Sequence, residues 1–103
     1  NSRIICFGHA GDGNVHVNVL KDQIEDGRWE EILPGLRKDV YSLTLSLGGM
    51  LTGEHGIGLA RKDYLSLALN PAHIALLRKI KAAFDPNYIL NPGKIFPGDT
   101  CVA

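Results

Sequence analysis

The chain has 103 residues, with 11 Asp and Glu balanced by 11 Lys and Arg. That length allows one small domain with a modest core, and a net charge of zero carries no electrostatic footprint for nucleic acid or an anionic membrane. No apolar run approaches the ~20 residues needed to span a bilayer, and no basic-then-apolar leader opens the chain.

Cys6 and Cys101 lie near opposite ends and belong to no CxxC pair, which argues against a disulfide or a thiolate metal site. The reading is therefore a soluble protein of a reducing, cytoplasmic compartment. The chain has no initiator Met and enters an apolar stretch, Ile4-Ile5-Cys6-Phe7, almost at once. That opening is expected of a piece of a longer protein.

Residues 3–8 read as a buried strand, rich in β-branched and aromatic side chains. Gly11-Asp12-Gly13-Asn14 is a turn signal, because Gly and Asn tolerate positive φ. Val15 to Leu20 then forms a second strand, so the pair is expected to be an antiparallel hairpin. Alternation puts Val15, Val17 and Val19 on a core-facing side and His16 and Asn18 on a polar side.

After a polar connection, a helical stretch is expected to be interrupted at Pro34-Gly35 and to resume from Leu36 to Leu47. Leu36, Val40, Leu43 and Leu47 mark its buried stripe, and Gly48-Gly49 ends it. Residues 50–52 are a candidate third strand, and a short helix is expected over Leu59 to Ala68. A last helix is capped by Asn70, starts at Pro71 and carries Ile74, Leu77, Ile80 and Phe84 on one side. Asp85-Pro86 stops it. The fold class is α+β, a small antiparallel sheet packed against helices.

Three of the four histidines lie in glycine-rich segments: His9 and His16 flank the turn, and His55 sits in Gly53-Glu54-His55-Gly56-Ile57-Gly58. His73, on the last helix, reads as a solvated surface residue. A hairpin brings His9 and His16 within reach of one another, and two imidazoles with a carboxylate such as Glu54 form a common divalent-metal set with room for substrate. If Glu54 faces the metal, His55 on an extended backbone faces elsewhere and is free to act as an acid or base. On spacing alone, hydrogen-bonded structural histidines are the commoner reading, since neither HExxH nor a cysteine cluster is present. Asp12 reads as a turn former rather than a ligand. Residues 11–14 lack the Lys-Ser/Thr of a phosphate loop.

Gly8-His9-Ala10-Gly11-Asp12-Gly13-Asn14-Val15-His16, the Gly53–Gly58 segment, Asp85-Pro86 and Leu90-Asn91-Pro92-Gly93-Lys94-Ile95 together resemble the C-terminal domain of FAD-linked oxidases. That group is related to vanillyl-alcohol oxidase and includes glycolate oxidase, D-lactate dehydrogenase and D-2-hydroxyglutarate dehydrogenase. The resemblance runs from about Arg3 to Pro97. It implies that His9, His16 and Glu54 ligate a divalent metal, with Zn favoured and Mn or Fe compatible with the same donors. It implies that His55 is the general base for the substrate hydroxyl as hydride leaves for the flavin, that Asn18 lines the substrate pocket, and that Asn91 contacts the flavin side.

The resemblance further implies that residues 1–103 form the last portion of a ferredoxin-like cap domain acting on a small 2-hydroxy acid. The family's N-terminal FAD-binding domain is absent from this sequence, as is the earlier part of the substrate domain. The isolated chain is therefore expected to be inactive, with FAD bound elsewhere in the parent. Its exposed strand edges are expected to favour a homodimer. Two rival readings are a non-catalytic metal-binding module and a structural remnant.

Overall fold

The computed structural model describes residues 3–100, so Cys101 lies outside the described residues. In chain order these form β1 (Ile4–His9), β2 (Asn14–Val19), α1 (Asp26–Ser46), a 3-10 turn (Lys62–Tyr64), α2 (Leu65–Ala68) and α3 (Pro71–Phe84). The architecture is α+β, and the chain divides between Val40 and Tyr41 into two compact units. No helix among the described residues is long and apolar enough to cross a membrane.

In the first unit β1 and β2 pair antiparallel, with Ile5 opposite Asn18, Phe7 opposite His16 and His9 opposite Asn14. Directly opposed residues share a face. One face therefore carries Ile4, Cys6 and the three valines. The other carries Ile5, Phe7, His9, Asn14, His16 and Asn18. The reversal is an Asx turn: the Asp12 carboxylate accepts the Asn14 N–H at 3.1 Å, and Gly13 takes φ 70°. Gly8 is obligatory, because a Cβ there would lie 2.0 Å from the Asn14 carbonyl oxygen. Below the ladder, Arg3 grips the Asp22 carboxylate, which holds that carboxyl below its usual range.

Both strands depart from expectation: β1, read as buried, is exposed along its length, and on the valine side Val15 and Val17 are exposed. Alternation sorts side chains between two faces, but a face is buried only when another layer lies across it. Residues 50–52 add no third strand among the described residues. Of these, Leu51 is instead buried in the second unit, while Met50 is exposed.

α1 runs without interruption through Pro34. An interior proline removes one N–H and crowds the preceding turn, at a cost of ~3 kcal/mol. Helical residues on both sides propagate across it, because elongation is far easier than fresh nucleation. The helix ends in a Schellman motif. Gly49 N–H reaches the Thr44 carbonyl at 2.9 Å, Gly48 N–H reaches Leu45 at 3.0 Å, and Gly48 is left-handed at φ 81°. Of its expected stripe, Leu36 and Val40 are half-buried while Leu43 and Leu47 are exposed.

Among the described residues of the second unit, the buried hydrophobics are Leu51, Leu65 and Phe96. The helix expected over 59–68 is shorter, a 3-10 turn followed by α2. It stops at Leu69, already extended at φ −118°, ψ 136°, and Asn70, preceding Pro71, stays extended at φ −73°, ψ 165°. The same Asn70 caps α3, its side-chain oxygen accepting the His73 N–H at 3.0 Å. α3 has the expected bounds, but its apolar side is largely uncovered, with Phe84 84% exposed.

Asp85, at the end of α3, is buried and organises the chain that follows. Its carboxylate accepts the N–H groups of Ile89 and Leu90, each at 3.0 Å, and the Lys81 ammonium. The hydrogen bond from Lys81 holds the carboxyl below its usual range; burial opposes this and the two backbone donors add to it.

Two outcomes follow from these contacts. Gly8→Ala is expected to destabilise the chain by at least ~1–3 kcal/mol, as overpacking does, while Gly11→Ala, whose Cβ meets open space, is near neutral; thermal unfolding of the two variants checks the contrast. Because the folded-state pKa of Asp85 is depressed, its stabilisation is present above the unfolded value of ~3.9 and is lost as pH falls through the folded value. The gap in urea midpoint between the natural chain and Asp85→Asn should thus be full at pH 7 and shrink below about pH 4; a gap independent of pH would contradict this.

Candidate active site

The hairpin places two imidazoles on one face. His16 pairs with Phe7 and His9 with Asn14, so the histidines are diagonal neighbours across the two strands. Their ring centroids are 6.4 Å apart at 74°. Phe7 stacks on His16 at 5.1 Å and 21°, restricting that ring against the sheet. His16 is half-buried and His9 exposed, so the pair is open to a ligand. Side-chain rotation can turn a nitrogen of each ring toward one ion, at the Zn–N distance of ~2.0–2.1 Å. Neutral imidazoles suit such an ion, and this part of the donor set fits a divalent metal. Asn18 lies on the same face, one pleat from His16.

In the second unit, Glu54 and His55 occupy the glycine-rich loop. The two side chains do not diverge as an extended backbone would require: His55 Nε2 lies 3.5 Å from Glu54 Oε1. Gly56 at φ 73° and Gly58 at φ 53° curl the loop, so strand alternation does not govern it. A carboxylate beside an imidazole can orient the ring and stabilise the imidazolium formed when it takes a proton. Both side chains are exposed and accessible to substrate.

The tail motif has a role at this loop that sequence reading missed. Ile95 N–H donates to the Gly58 carbonyl at 2.7 Å, and the Lys62 ammonium donates to the Gly93 carbonyl at 3.1 Å. Arg61 donates to the Gly56 carbonyl at 3.3 Å. The signal available in the sequence was the Arg61-Lys62 pair directly behind a loop with three glycines. Asn91 is exposed and left-handed at φ 49°, a conformation Asn tolerates.

Comparison with known proteins bears on this arrangement. The chain is 43% identical over 93 residues to a D-lactate dehydrogenase of Anaerostipes hadrus, covering 90% of this chain and 20% of that protein. It is 42% identical over 94 residues to a D-2-hydroxyglutarate dehydrogenase of Stutzerimonas stutzeri, with coverage of 90% and 20%. It is 41% identical over 96 residues to the glycolate oxidase subunit GlcD of Bacillus subtilis, with coverage of 93% and 20%. The chain thus spans about a fifth of the length of these curated relatives. The family model described as FAD linked oxidases, C-terminal domain, matches residues 1–95, and the chain belongs to that family.

Proposed function

We propose that this chain is the C-terminal part of the cap domain of an FAD-dependent oxidoreductase acting on small 2-hydroxy acids of the glycolate or D-lactate type. Its contribution is a divalent-metal ligand set and a proton acceptor. The observation that carries the reading is the His9–His16 pair, two imidazoles on one face of a hairpin. It lies in a chain whose relatives are named for oxidising D-lactate, D-2-hydroxyglutarate and glycolate.

His9, His16 and Glu54 would hold the ion, Zn being the best match to two imidazoles and a carboxylate. When bound, such an ion lowers the pKa of a coordinated hydroxyl, and flavin provides a two-electron acceptor for the hydride from the substrate's α-carbon. The chain's own residues do the rest. The His55 imidazole, 3.5 Å from the Glu54 carboxylate, accepts the hydroxyl proton. Asn18, on the histidine face, offers an amide to a polar substrate group. Asn91 is assigned a contact on the flavin side.

The stacking of Phe7 on His16 is also what a purely structural histidine would show, so the metal separates the two readings. In the full-length protein, chelator treatment is expected to abolish oxidation of D-lactate or glycolate, and added Zn to restore it, with elemental analysis tracking bound metal. His55→Ala is expected to lower kcat by about 10²-fold or more while metal content stays unchanged. His9→Ala and Glu54→Gln are expected to lose metal and activity together. Undiminished turnover in His55→Ala and Glu54→Gln would remove the role assignment.

A further inference from the structure

The loop that carries Glu54 and His55 is rich in glycine. Gly53, Gly56 and Gly58 bring no side chain, and two of them sit at positive φ. Glycine's wide φ/ψ range means such a loop keeps one shape only if outside groups fix its peptide planes. Arg61 supplies two such contacts on consecutive carbonyls. Its backbone N–H donates to Ile57 at 3.2 Å, and its guanidinium donates to Gly56 at 3.3 Å.

The second contact holds the Gly56–Ile57 peptide plane, one residue on from His55. Arg61 is itself confined: its Nε is shielded from solvent and has no hydrogen-bond partner among the described residues. An unpaired buried donor of this kind is unfavourable in itself, so it marks a side chain held in place by its other contacts.

We propose that Arg61 is a positioning residue for His55, its guanidinium anchoring the Gly56 carbonyl and so setting the direction in which the imidazole leaves the loop. The inference rests on the reading of His55 as the proton acceptor. Substitution of the Arg61 side chain leaves its backbone contact to Ile57 intact, so the variants isolate the anchor. A catalytic group misplaced by ~1 Å loses about 10²-fold in rate, and a partly freed loop should lose less.

The test uses the flavin-loaded, full-length protein. Arg61→Ala is expected to lower kcat for a 2-hydroxy acid, per bound flavin, by about tenfold or more with KM nearly unchanged. Arg61→Lys, which keeps a long cationic donor, should recover most of that loss. Hydrogen–deuterium exchange should quicken in the peptide spanning residues 53–60 of Arg61→Ala and stay the same across the hairpin. If Arg61→Ala does not fold, Arg61→Gln compared with Arg61→Lys carries the same contrast.

Unchanged kcat or unchanged loop exchange in Arg61→Ala, in a protein that His55→Ala inactivates, would overturn the positioning role alone. Full activity in His55→Ala would overturn the role of His55 and the positioning role with it.

Discussion

A slip of one residue in the pairing of Ile4–His9 with Asn14–Val19 would carry His16 to the valine face and leave His9 without its diagonal neighbour. The register is therefore the constraint on which the candidate chemistry depends. It is held at the turn by the Asp12 carboxylate and left-handed Gly13, and within the ladder by Gly8, whose missing side chain lets the strands close. Each of these residues is small or turn-forming for a local steric reason. Together they decide which way two imidazoles point.

The second unit uses a different physical economy. With Leu51, Leu65 and Phe96 as the buried apolar side chains among its described residues, much of its order comes from side chains that seek main-chain groups. Asp85 collects two backbone N–H groups and an ammonium. Lys81 also reaches the Leu90 carbonyl at 2.6 Å, and Lys62 reaches Gly93. Arg78 pairs with both carboxylate oxygens of Asp99 and lies over the Phe96 ring. Charge-assisted bonds of this kind are directional, and they shape the tail into the support that meets the loop at Gly58.

Part of the site was legible in the sequence because it rests on local rules. The hairpin, the cap of Asn70 on α3, the stop at Asp85 and the glycine end of α1 follow from side-chain sterics and backbone hydrogen bonding within a few residues. The anchoring of the loop was not legible. Arg61 and Ile95 act on carbonyls through contacts that no periodicity records, and the nearness of His55 to Glu54 reverses what strand alternation implied.

Sequence alone determined the α+β class, the hairpin, the bounds of α3, and a family membership carried by motifs in fixed order, because each rests on short-range pattern. Tertiary structure alone decided which apolar faces are covered and where each loop side chain points. Val15, Val17, Leu77, Ile80 and Phe84 have the spacing of core residues and are nonetheless exposed. Periodicity reports which side of an element prefers an apolar neighbour, whereas burial requires that neighbour to be present.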